Sequence, residues 1–113
     1  MEYNKNKEIV TKMIKYCENI LTIVKEEELD KEKYLNKKTP QLAIDMCIFQ
    51  LSELSIHLDD DFKKNHNDIP WTEIRGMRNI HAHEYDKVDR NIIWNTIEKD
   101  IPSLTNKLKI IEF

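Results

Sequence analysis

Between Arg75 and Asp89 the chain reads Arg-Gly-Met-Arg-Asn-Ile-His-Ala-His-Glu-Tyr-Asp-Lys-Val-Asp, which crowds two arginines, two histidines and a tyrosine into one stretch. An arginine grips a phosphate through parallel charge-assisted hydrogen bonds, and histidine is the side chain whose unperturbed pKa lies closest to neutrality. Together they suit chemistry on a phosphodiester. His83 can give or take a proton near neutral pH, and Arg78 can hold phosphoryl oxygens where negative charge develops. Arg75, Lys87 and Arg90 flank this pair and offer positive charge to a nucleic-acid backbone, offset by Glu84, Asp86 and Asp89.

The element that carries these residues limits what they can do together. At about 100° per residue, positions 78 and 83 lie about 140° apart on a continuous helix, whereas 78 and 85 differ by only about 20°. One ideal helix therefore cannot aim Arg78 and His83 at the same phosphate. Either the helix ends or distorts near Ala82, or a symmetric dimer brings two copies of the stretch together; the dimer is the favoured expectation. His81 shares the Arg78 face at i, i+3 and is either a second proton-transfer group or an exposed histidine without a role. Residue types alone also allow Arg78 and His83 to be interface residues bonded to Glu84 or Asp86, and Tyr85 to be an interface aromatic.

A chain of 113 residues fits one domain over residues 1–113. One glycine and three prolines leave almost no supply of residues for tight β-turns, so helices are favoured. Eighteen basic against 21 acidic residues give a net charge of -3, which argues against coating nucleic acid by bulk charge; any polyanion must find a local site. Apolar runs are too short to cross a membrane and the first residues show no apolar leader, so a cytoplasmic protein is expected. Cys17 and Cys47 lie on apolar helical faces without metal-ligand spacing and read as buried reduced thiols. Asp59-Asp60-Asp61 reads as a solvated cluster rather than a metal site, His57 and His66 carry no evident role, and Trp71 and Trp94 read as core or interface.

Ile9, Val10, Met13, Ile14, Cys17, Ile20, Leu21 and Val24 recur at three and four and predict an amphipathic helix over 7–24. Residues 25–38 form a charged connector in which Asp30 can cap a short turn. Thr39-Pro40 supplies an N-cap and a proline at the first position of a second helix, apolar on more than one stripe, hence central or shared with a second subunit. Residues 59–68 read as a polar loop. Pro70-Trp71 then opens a third helix with Trp71, Ile74, Met77 and Ile80 on one face, where Gly76 permits close approach of a neighbouring helix. Asp89 caps a fourth helix, and Pro102 either kinks it or begins a new helix capped by Asp100. Short connections imply an all-α, up-and-down antiparallel bundle of four to five helices.

The string from Gly76 to Tyr85, followed by Val88-Asp89, resembles the HEPN superfamily and within it the HepT-like toxin branch, whose extended motif is Arg-x4-His-x-Tyr. Here that motif falls on Arg78, His83 and Tyr85, and with the Pro70-Trp71 opening the resemblance spans essentially the whole chain. It implies a homodimeric, metal-independent endoribonuclease without a cofactor, the toxin of a type VII-like toxin–antitoxin pair, with Arg78, Asn79 and His83 as catalytic residues. Arg75 and His81 stand as auxiliary candidates. It further implies that Tyr85 receives AMP from a partner minimal nucleotidyltransferase, which silences cleavage of the RNA substrate. The alternative is a non-catalytic dimeric interaction module, or a nucleotide-binding partner of such a nucleotidyltransferase.

Overall fold

The computed structural model describes residues 3–83 and 87–113, with side chains throughout except at 79–83. The fold is all-α, and no strand occurs among the described residues. Four long helical rods are joined by two short helices. The first, α1 (Lys5–Glu26), is capped by Asn4, whose side chain accepts from Lys7 N at 3.0 Å, and buries Ile9, Val10, Met13, Cys17 and Ile20 along one stripe. It ends on Glu28 at φ 50°, and Leu29 N returns to Val24 O at 2.9 Å. That closure normally uses glycine, and a non-glycine residue held there costs roughly 1–2 kcal/mol. Burial of Leu29 beside Val24 offsets the strain.

Helix α2 (Lys31–Asn36) starts as expected on Asp30, which accepts from Lys33 N at 2.8 Å, and drives Tyr34 fully into the core. Helix α3 (Lys38–Ile56) begins earlier than Thr39-Pro40 indicated: Lys37 is the cap residue, without a side-chain cap bond, and Pro40 occupies the third helical position. No amide of the first turn has an intrahelical partner, so proline is tolerated anywhere in it, and here it is buried. α3 is the central rod, packing against α1, α2 and α5 (Trp71–His83). Lys5 and Asn6 at the start of α1 bind Asp59 just beyond the end of α3, at 2.9 and 3.2 Å, so the two helices run antiparallel.

Residues 59–68 are not wholly loop. Helix α4 (Asp60–Asn65) places Asp60 and Asp61 in its first turn and Lys63 and Lys64 in its last, the charge order that complements the helix dipole. Phe62 anchors it against His66, Trp71 and Phe113. Trp71 then opens α5 as expected, its indole donating to His66 O at 3.0 Å.

The last rod is α6 (Arg90–Asn95), a π turn over Thr96–Asp100, and α7 (Ile101–Lys109). Asp89 caps α6 by accepting from Asn91 N at 2.9 Å. Neither a fresh cap nor a break accompanies Pro102: Asp100 keeps helical angles and makes no cap bond, and Ile101 N reaches back to Thr96 O. Widening by one residue absorbs the proline's missing donor and its ring. Gly76 also departs from expectation. A Cβ there would meet nothing within 4 Å, so among the described residues no neighbouring helix makes use of its smallness.

Cys17 and Cys47 are free and buried, and burial pushes the Cys17 thiol up to about 11. Both should therefore resist a thiol reagent at pH 8 until denaturant is added; a stoichiometric fast phase in the native protein would contradict this packing. Among the described residues, no helix is long and apolar enough to cross a membrane.

Candidate active site

α3 is apolar for most of its length but carries two carboxylates, Asp45 and Glu53, and each takes an arginine from the functional stretch or its border. Asp45 is fully buried. Arg90 meets it with both terminal nitrogens, at 2.6 and 2.8 Å, and also donates to the Tyr34 hydroxyl at 3.2 Å. The carboxylate and the phenol together raise Arg90 above its already high pKa, and burial raises that of Tyr34. Arg90 was a candidate for the nucleic-acid backbone. The structure corrects that reading, because its guanidinium is committed to a buried ion pair that fastens the start of α6 to α2 and α3.

Arg78 is placed differently. Its Nε forms an ion pair with Glu53 Oε1, an oxygen closed to solvent, while its own side chain remains 48% exposed. An arginine bound at Nε keeps its terminal Nη1 and Nη2 donors for another partner. Arg78 borders an open cleft of about 530 Å³ between α3 and α5, lined also by Phe49, Gln50, Glu53, Leu54 and His57. Arg75, three residues earlier on α5, is exposed.

The backbone of α5 is helical through His83. No distortion occurs at Ala82, although the helix as described ends one residue later at His83, and positions 78 and 83 sit about 140° apart around one axis. The side chains of Asn79, His81 and His83, and the whole of Tyr85, lie outside the described residues.

Sequence reasoning missed Glu53 and gave His57 no role. Gln50, Glu53 and His57 follow one stripe of α3 at i, i+3 and i+7, which puts a polar strip on an apolar helix. A carboxylate inside an apolar pattern demands a cationic partner, and that was the available signal.

The family profile described as "Ribonuclease HepT-like" matches residues 10–111. The chain is 37% identical over 78 residues to "Probable ribonuclease HepT" of Thermococcus cleftensis, covering 69% of this chain and 71% of that one. It is 26% identical over 84 residues to "Putative RNase MJ1380" of Methanocaldococcus jannaschii, covering 74% and 77%. A protein of Caldanaerobacter subterraneus bearing the same RNase designation is 43% identical over 61 residues, 54% of each chain. No solved structure matches significantly.

Proposed function

The chain belongs to the HepT-like ribonuclease family, and from that premise we propose that it is a metal-independent endoribonuclease, the cytoplasmic toxin of a toxin–antitoxin pair, working as a homodimer. The observation that carries this reading is the half-exposed Arg78, paired with Glu53 at Nε and lining an open cleft. In the proposed reaction the ribose 2′-oxygen gives up its proton, attacks phosphorus and displaces the 5′-oxygen, which leaves with a proton. The product is a 2′,3′-cyclic phosphate end and a free 5′-hydroxyl. His83 moves the proton, Arg78 stabilises the crowded phosphoryl oxygens and Asn79 assists beside it. Arg75 is an auxiliary candidate for positioning the RNA backbone and His81 for a second proton transfer.

The continuous α5 supports a site completed by two protomers, since one helix separates positions 78 and 83. A surface for the second copy is available. Leu42 and Met46 are 44% and 52% exposed one turn apart on α3, on the stripe that continues through Gln50 and Glu53 into the cleft. Light scattering at micromolar concentration should give the mass of a dimer, and a monomer alone would remove this arrangement.

Tyr85 is proposed as the regulatory site. A partner minimal nucleotidyltransferase would transfer AMP from a nucleoside triphosphate to its phenolic oxygen, with pyrophosphate leaving. The added phosphate charge beside the motif repels the phosphates of RNA. The acidic balance of the chain favours a second reading, a non-catalytic dimeric module that binds the nucleotidyltransferase. One experiment separates them: purified protein is incubated with RNA in excess EDTA and the new 3′ ends are analysed, alongside growth on induction without a partner. Cyclic-phosphate ends and growth arrest are expected. Intact RNA and normal growth favour the module, and cleavage abolished by EDTA sinks the metal-free mechanism.

A further inference from the structure

The cleft between α3 and α5 contains more than the arginine of the motif. Its floor has half-buried Phe49 and Leu54, its wall has the Gln50 amide and the exposed His57 ring, and Glu53 stands behind Arg78. The volume, about 530 Å³, is in the range of small-ligand sites, roughly 300–1,000 Å³.

The position of Glu53 is the informative feature. A carboxylate close to a polyanion's landing place is unfavourable by charge alone. Here, however, it takes the Nε edge of the guanidinium, and Oε1 is shielded from solvent. That contact restrains a long side chain that otherwise samples many rotamers, and an arginine held at Nε keeps Nη1 and Nη2 as donors for a ligand. An arginine fixed in this way loses less conformational freedom when a phosphate arrives. Gln50 offers an amide that can donate and accept, His57 offers a ring nitrogen, and Phe49 with Leu54 offers an apolar surface for a ribose or base.

We propose that this cleft is the subsite for one phosphate and its nucleoside in a single-stranded RNA, with Glu53 a positioning residue that presents the terminal nitrogens of Arg78 to that phosphate and with Gln50 and His57 contacting the same nucleotide. The proposal rests on the RNA-cleaving reading above and adds α3 to the site.

The sign of one substitution tests it. Charge alone predicts that Glu53→Gln, which removes a negative group, binds RNA more tightly; the positioning role predicts weaker binding, by about tenfold. The probe is a mixed-sequence 2′-O-methyl oligoribonucleotide, which lacks the attacking hydroxyl and stays intact. Its titration followed by 15N NMR should shift the Gln50 side-chain amide, the His57 ring and the Arg78 Nε–H. Glu53→Gln should keep the helical circular dichroism of the native protein, lose the Arg78 Nε–H signature and bind more weakly. Once Arg78 is alanine, Glu53→Gln should have no further effect. Gln50→Ala provides a second variant, expected to weaken binding about threefold. Equal or tighter binding by Glu53→Gln, shifts confined to other faces, or no binding by the native protein at millimolar probe would each overturn the proposal. A native protein that shows the expected shifts yet leaves unmodified RNA intact sinks the cleavage reading and leaves the subsite standing.

Discussion

His83→Ala is expected to lower the rate of RNA cleavage by about 10²–10⁴-fold, the usual cost of losing a positioned acid or base. Arg78→Ala should cost about 10²–10³-fold, because it removes a fixed cation from the place where phosphoryl charge develops. The two residues act in one transition state, so the double variant should be little worse than the poorer single one. A mixing experiment then asks where the two groups come from. With positions 78 and 83 on separate faces of α5, the proposed site pairs Arg78 of one protomer with His83 of the other. Combining the two inactive variants after subunit exchange should restore about a quarter of native activity, since half the dimers are mixed and each keeps one intact pairing of two. A mixture as inactive as its components would show that each protomer supplies both groups.

The second large effect concerns stability. Asp45→Ala leaves the part-buried Arg90 with the Tyr34 hydroxyl but without its carboxylate, and stranding one partner of a buried ion pair typically costs about 3–5 kcal/mol. Urea unfolding should register that loss, with Tm falling by more than about 10 °C. Replacing both partners with apolar residues, Asp45→Leu with Arg90→Met, should cost far less than the single change, because no charge is then left unpaired. A single Asp45→Ala variant within about 1 kcal/mol of the native protein would mean that water reaches Arg90 and that the clamp is not closed. Arg90 is the first residue of α6, so its bond to Asp45 fixes the start of that helix against α3.

Much of the architecture was legible in local pattern. The three-and-four spacing from Ile9 to Val24 marks α1 because a helix repeats its face at that interval, and Asp30 and Asp89 are short polar side chains placed where first-turn amides need acceptors; the start of α1 at Lys5 behind the Asn4 cap, two residues before the expected one, was not read. Residues 59–65 misled for the same reason: a short helix anchored by one aromatic has too few turns to show a period, and Phe62 finds its partners in Trp71 and in Phe113 at the far end of the chain. Pro102 announced an interruption, but whether the chain kinks, restarts or widens depends on what holds α6 and α7 in line.

The sequence by itself determined the helical class, most helix starts, the buried thiols and the Arg78, His83 and Tyr85 spacing that carries the family likeness, because each is set by residues near one another along the chain. Only the tertiary structure decided how completely each arginine is captured by a carboxylate. Arg78 and Arg90 look alike as sequence, yet Asp45 lies deep in the core and takes both ends of one guanidinium, while Glu53 lines a cleft and pairs with the Nε of the other, whose side chain stays 48% exposed. Depth of burial sets how completely a carboxylate captures a cation, and depth is a property of packed helices that no local pattern contains.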